Sequence, residues 1–377
     1  MSKRGNGEGS IYQDSRGLYR AAVTLESGKR KYLSGRTRQD VARKLNAALE
    51  SREKGLPVPG QRLTTAAYLN DWLENTVKPS QKPLTYEKYR QVVATHITPA
   101  LGRLPLARLQ PRDVAQLQSS MAAKGLSVAT INGMRTALGA ALSKAEQWGL
   151  VVRNVVRLVD APRGPETEPR VFLPEEAAAF LRAAKGDDLE HLFTAALATG
   201  LRPAEARGLR WKDVQLTGAA PAIEVRQQVI ELPGRRRVFD EPKSAHGRRS
   251  VPLIPVAIAA LSAQKRRVAE MHLAVGPLWN DNDLVFPDEL GGPLGARRVR
   301  DHFARIAAHA QVRDASPHTL RHSTGTFLLA AGVPDRVVQA ILGHGSAAMT
   351  RHYQHVLPTM MSDAGARLAQ FLEAASS

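Results

Sequence analysis

Apolar positions along the chain change their period several times, and each change marks an element. Near the start, Tyr19, Ala21, Val23 and Leu25 alternate with Arg20, Ala22 and Thr24, the two-residue period of a half-buried strand. Residues 11–13, 18–25 and 29–37 read as three short strands, with turns at 15–17 and 26–28 that each end in glycine. Thr37 and Asp40 then form a capping pair, and Val41, Leu45, Ala48 and Leu49 share one side of a helix. Pro57 and Pro59 mark 55–60 as a linker. Helical spacing follows to about residue 158. Tyr68, Leu69, Trp72 and Leu73 come after a Thr64 cap, Tyr86, Tyr89 and Val93 after Thr85, and 96–102 close that helix. Ile131, Met134, Leu138, Leu142 and Ala145 fill a long helix between Ser127 and Gly149. The aromatic stripe in these helices reads as core rather than as a base-stacking surface. A second Pro-rich linker covers 161–169, and helical spacing resumes from Leu173 to Trp211. Residues 222–231, 237–241 and 248–253 read as strands of one small sheet, and helices follow, the last over 364–375 with Ala364, Leu368, Phe371 and Leu372 on one side.

The predicted fold class is therefore multidomain: a small N-terminal three-stranded sheet plus helix, a helical bundle, and a mainly α domain with a small antiparallel sheet. The boundaries are 1–60, 61–162 and 170–377. A length of 377 residues agrees, being long for a single core. No apolar run is long enough to span a membrane, and the basic N-terminus lacks the apolar stretch of a secretory signal. The absence of cysteine removes disulfides, thiol nucleophiles and cysteine-bound zinc, and suits a reducing cytoplasm.

Charge narrows the partner. The net charge is +18 with a pI near 10.5, a balance that favours a polyanion. Nucleic acid is preferred to a membrane surface because the basic residues are spread over several segments. Residues 1–60 hold 13 Lys and Arg against 6 Asp and Glu, a balance of +7. There, Arg20 and Thr24 share a strand face and Lys29, Arg30 and Lys31 open the next strand, where they could reach bases or phosphates. In the helical bundle Lys82, Lys88, Arg90 and Arg135 are candidates for phosphate contacts. Neither a phosphate-binding glycine loop nor a ligand cluster with metal spacing is apparent, so no metal or other cofactor is expected.

The stretch 316–353 concentrates the chemistry. Ser316 and Pro317 fit an N-cap and a first helical position, and His318 and Arg321, three apart, share the first turn's face. After Gly332 and Pro334, a second helix carries Val337, Val338, Ile341 and Leu342 and stops at Gly343. His344 follows at once, and Ser346 can cap a short helix that carries Tyr353. Two histidines, an arginine and a tyrosine are thus delivered by helix ends.

This pattern resembles the C-terminal signature of the tyrosine recombinases, the lambda-type integrase family. The family's His-x-x-Arg matches His318 and Arg321, its Leu-Gly-His matches Leu342, Gly343 and His344, and its nucleophile matches Tyr353. A second arginine, in a Thr-Gly-Leu-Arg segment, matches Arg202, and a hairpin lysine matches Lys243. Residues 1–60 resemble the arm-binding domain of phage and transposon integrases, and 61–162 the core-binding domain. The resemblance implies a metal- and ATP-independent DNA transesterification through a 3′-phosphotyrosine, with Lys243 as general acid, and integration or excision of a phage or mobile element. It further implies double-stranded DNA with core and arm sites as partner, a homotetramer on DNA, and room for a directionality factor or host DNA-bending protein.

Two guanidiniums suit such a step, because attack on a phosphodiester adds charge to its nonbridging oxygens and arginine offers paired donors at any working pH. Tyrosine, with a pKa of about 10, needs activation. The sequence leaves open which histidine acts as base, with His322, His352 and His355 close by. It also leaves open whether Arg248 or Arg249 takes the space near Lys243. Glu205 is expected to orient an arginine; Arg207 and Arg210 lack the motif position. Alternative readings are a relaxing enzyme of type IB topoisomerase character, a resolvase of the same family, and a DNA-binding regulator with an inactive catalytic domain.

Overall fold

A computed structural model describes residues 11–24, 30–53, 63–165, 169–242 and 247–343. The chain divides into two compact units, Met1–Pro165 and Glu166–Ser377.

The first unit opens with an antiparallel sheet, β1 (Ile11–Gln13), β2 (Tyr19–Thr24) and β3 (Arg30–Gly35), in that order, followed by α1 (Arg38–Glu53). The predicted alternation holds. Ala21 and Val23 are buried, together with Leu33 of β3, against Val41, Leu45 and Ala48 of α1. The turn between β1 and β2 is set by Asp14, whose carboxylate accepts the N–H groups of Arg16 and Leu18, both at 3.0 Å. The Thr37 hydroxyl accepts the N–H of Asp40 at 3.2 Å and so starts α1 as the sequence predicts. The linker predicted at 55–60 lies outside the described residues.

The same unit continues with α2 (Thr65–Trp72), α3 (Lys78–Ser80), α4 (Pro83–Val92), α5 (Thr98–Leu101), α6 (Pro111–Ala123) and α7 (Val128–Gln147). Thr64 caps α2 and Ser127 caps α7 through their side-chain oxygens. π-Helical turns at Leu73–Val77 and Val93–Ile97 join α2 to α3 and α4 to α5. The aromatic stripe is core: Tyr68 and Trp72 are buried, the Tyr68 hydroxyl donates to Ala141 O at 2.6 Å, and Trp72 stacks on Tyr89.

The second unit begins with α8 (Pro174–Ala183), α9 (Glu190–Thr199) and α10 (Pro203–Gly208), followed by β4 (Val214–Gln215), β5 (Ala222–Val225), β6 (Gln228–Leu232), β7 (Arg236–Asp240) and β8 (Arg249–Pro252). It ends with α11 (Pro255–Val275), α12 (Ala296–His309), α13 (Pro317–Ala330) and α14 (Asp335–Leu342). Phe172, Phe180, Phe193 and Phe303 pack ring against ring at its centre and tie α8, α9 and α12 together. Among the described residues, no helix is long and apolar enough to cross a membrane.

The strands correct the sequence reading. The predicted strand 222–231 is two strands in two sheets: β5 pairs with β4 and β8, while β6 pairs only with β7. The register explains the break. Val225 faces Arg249 and Gln228 faces Asp240, so the two ladders are two residues apart on the β5–β6 side and eight apart in sequence on the β7–β8 side, too unequal for one continuous ladder. Lys243, expected in a hairpin turn, lies between β7 and β8 in the sequence and outside the described residues. The short β4 was not predicted. The helix predicted over 364–375 lies outside the described residues.

Candidate active site

Arg202 is placed by the turn before it. Gly200 ends α9 in the left-handed conformation, with φ +65°, and lets the chain reverse. A Cβ at this position would lie 2.5 Å from Leu342 Cδ2 and 3.3 Å from Thr324 Cγ2, so glycine lets α13 and α14 close on this turn without displacing Leu342. Arg202 is the N-cap of α10. Its backbone N–H donates to Glu205 Oε2 at 2.9 Å, and its guanidinium donates to Glu205 Oε1 at 2.6 Å.

Arg321 comes from the other side. Ser316 caps α13 and Pro317 opens it, as predicted. One turn in, the buried Arg321 guanidinium donates to Gly200 O at 2.7 Å and to Leu342 O at 2.5 Å. His318, on the same face, still meets solvent. Its pKa is lowered, first by loss of water to the surrounding protein and then by Arg321 and Arg202, with Glu205 pulling the other way. Because part of the ring remains hydrated, this is a bias toward neutral imidazole, the form able to accept a proton, rather than a fixed state. The His322 ring lies 6.4 Å from that of His318.

A third arginine completes the cluster. Arg249 opens β8 on its inward side, in register with Val251. Its guanidinium pairs with both oxygens of Glu205, at 3.1 Å to Oε1 and 2.8 Å to Oε2, and its Nε–H donates to Ile341 O at 2.6 Å. Burial alone would raise the Glu205 pKa, but the hydrogen bonds and charge of Arg249 and the charge of Arg202 more than offset it, and the pKa is lowered.

The three guanidiniums converge on one helix end. Arg249, Arg321 and Arg202 bind the successive carbonyls of Ile341, Leu342 and Gly343, the last at 3.2 Å. These are carbonyls that a helix leaves unpaired at its negative pole, and cationic donors satisfy them strongly. Gly343, at φ +67°, stops α14 there as the sequence predicts. His344 follows directly in the sequence. His344, Tyr353 and Lys243 lie outside the described residues. A cleft of about 350 Å³ is lined by Arg210, Arg226, Phe239, Glu241 and Arg248.

The competing arginines are engaged elsewhere. Arg207 turns inward to Glu231, Val229 O and Leu294 O. Arg210 pairs with Asp213 at 2.6 Å. Arg249 is the residue sequence reasoning missed as a partner of Glu205. Its signal was a charged residue in the inward register of a strand.

The predicted DNA-contact residues are more scattered. Arg20 pairs with Asp14 at 2.8 Å, with 40% of its side chain exposed. Thr24 ends β2, and Arg30 and Lys31 open β3, with Arg30 exposed. Lys29 lies outside the described residues. Lys82 is the N-cap of α4, on which Lys88 and Arg90 are both exposed, the latter paired with Glu87 at 2.8 Å. Arg135 departs from the expected phosphate contact. Its guanidinium donates to the carbonyls of Val156, Val159 and Asp160 and to the Gln118 amide oxygen, so it fixes the chain after α7. A cleft of about 650 Å³ between β7 and α12 is lined by Arg237, Arg297, Arg298, Arg300 and Arg305 together with Glu231 and Asp301, and four of these arginines are paired with carboxylates.

Comparison with known proteins identifies the family. The model of the Phage integrase family matches residues 170–360, and that of the Phage integrase N-terminal SAM-like domain matches 64–122. An integrase of Streptomyces ambofaciens is 30% identical over 358 residues, covering 92% of this chain and 92% of that protein. A tyrosine recombinase XerC-like protein of Caldanaerobacter subterraneus subsp. tengcongensis is 28% identical, covering 97% and 98%. Among solved structures, the Tn1549 transposon integrase in complex with transposon right end DNA superposes with a TM-score of 0.67 at 23% identity, over 81% of this chain and 99% of that one. A lambda integrase tetramer bound to a Holliday junction gives 0.57 at 18% identity, over 94% and 99%. The chain belongs to the phage integrase family and is a tyrosine recombinase.

Proposed function

We propose that this recombinase is an integrase that cleaves and rejoins DNA at defined sites through a 3′-phosphotyrosine at Tyr353, moving a phage or other mobile element into or out of a chromosome. The observation that carries the reading is the convergence of Arg202, Arg321 and His318 around the end of α14, directly before His344. In this reading the scissile phosphate sits against Arg202 and Arg321, whose donors balance the charge that builds on its nonbridging oxygens. His318, biased toward neutral, takes or shares the tyrosine proton. His344 donates to the phosphate, and Lys243 protonates the leaving 5′ oxygen. The phosphotyrosine conserves the energy of the phosphodiester, so rejoining needs neither ATP nor a metal.

Residues 61–162 bind the core site and 170–377 carry the chemistry. Residues 1–60, with their charge of +7, read separate arm sites. Four protomers act together on two duplexes, as the lambda integrase tetramer bound to a Holliday junction does. A directionality factor or host DNA-bending protein has a place in such a complex, whose setting is the cytoplasm of a bacterial or infected cell. The test is recombination in vitro between two DNAs taken from the element's ends and its target, with EDTA present throughout. Recombinant junctions at one defined sequence are expected. Relaxation of supercoils without junctions would favour a topoisomerase-like activity, and binding without either would favour a regulator.

A further inference from the structure

We propose that Arg249 is a positioning residue for cleavage: it occupies Glu205 so that this carboxylate orients Arg202 without neutralising it. The proposal rests on the reading of Arg202 as a phosphate ligand. Glu205 is buried, with 2% of its side chain exposed, as is Arg249 with 5%, whereas Arg202 keeps 29%. Four hydrogen bonds reach the two oxygens of Glu205. Oε1 accepts from Arg249 and from the Arg202 guanidinium, and Oε2 accepts from Arg249 and from the Arg202 backbone N–H. That fills the usual capacity of a carboxylate. Arg202 therefore gives Glu205 a single guanidinium nitrogen, sends another to Gly343 O, and keeps an open edge toward solvent.

The charges lead to a sharp expectation. Arg202, Arg249 and Arg321 against Glu205 leave a net +2 beside the phosphate position. Without Arg249 the net falls to +1, and two acceptor positions on a buried carboxylate become empty. The more exposed Arg202, already bonded to Glu205, is then the cation placed to fill them, as a paired guanidinium–carboxylate contact that removes it from the phosphate. Removing the Glu205 charge as well returns the net to +2 and releases Arg202.

The experiment compares Arg249→Met, Glu205→Gln, the double variant and Arg249→Lys in the full-length chain. Single-turnover cleavage is measured at saturating DNA, with binding measured separately, well below each variant's melting temperature. Arg249→Met is expected to cleave slower by about tenfold with DNA affinity little changed, the scale of coupling within one ion-pair network. The double variant is expected to be faster than Arg249→Met, and Arg249→Lys to fall between Arg249→Met and wild type. On a substrate whose scissile phosphate is a neutral methylphosphonate, the Arg249→Met defect should shrink, because less charge has to be balanced. A purely structural anchor would slow both substrates equally. A double variant as slow as Arg249→Met, or an undiminished defect on the methylphosphonate, would overturn the proposal. Tyr353→Phe on the same DNA separates the two readings. If wild type forms an adduct through Tyr353 and only the rescue fails, Arg249 alone has been misassigned.

Discussion

At the residue scale, the site is built from a few side chains whose surroundings decide their chemistry. Arg321 bridges Gly200 O and Leu342 O from a buried position, a task for a planar fork rather than a point charge. Arg321→Lys is therefore expected to slow cleavage by about a hundredfold, the effect of losing one donor to developing charge. Single-turnover rates at saturating DNA check this, and a rate near wild type would contradict the assigned role. His318 supplies the pH dependence. Its lowered pKa biases the ring toward the neutral form, and protonation on the acid side would remove its ability to accept a proton. Cleavage should thus be level above neutrality and fall at a midpoint below the ordinary imidazole value of about 6.5. His318→Gln should be slower and lose that acid limb, and an acid limb that persists unchanged would assign it to another group. Much of this was legible because the motif residues carry their own spacing. Arg249 was not, since its pairing with Glu205 depends on a strand register that brings together residues 44 apart in the chain.

At the element scale, the end of α14 is the reference point. α9, α13 and β8 each send an arginine or a turn to it, and Gly200 makes that approach sterically allowed. Gly200→Ala should combine the strain of a left-handed alanine, about 1–2 kcal/mol, with displacement of the fully buried Leu342. Gly332 offers the comparison: it has φ +80° and nothing within 4 Å of an added Cβ. Gly332→Ala is expected to lower the melting temperature slightly and leave cleavage unchanged, while Gly200→Ala lowers both. Equal effects of the two on cleavage would mean that packing at Gly200 does not set the site. Helix caps at Thr64, Ser127 and Ser316 were readable because capping is local. The break between the β5–β8 and β6–β7 ladders was not, since residues 225 to 228 read as one continuous strand, and only the register with Asp240 and Arg249 separates them.

At the scale of the whole molecule, the chain forms two compact units, the first of which opens with the N-terminal sheet. A chain beginning near Gln61 should still cleave core-site DNA, lose affinity for flanking arm sites, and show a shallower salt dependence on long attachment DNA. Each phosphate contact removed takes about 0.9 from the slope of log K against log salt. Footprinting of the intact and shortened chains checks this, and protection of the same flanks by both would make the N-terminal charge a solvated surface. The fold class was legible from changes of apolar period. The most direct test of the central claim is covalent trapping. A nicked duplex with one strand end labelled is mixed with wild type or Tyr353→Phe, and the products are separated under denaturing conditions and mapped by peptide mass. Wild type is expected to yield a protein–DNA band with the 3′ phosphate on the peptide containing Tyr353, and Tyr353→Phe to bind the duplex without forming that band. A band that persists in Tyr353→Phe, or an adduct mapped to another residue, would contradict the account.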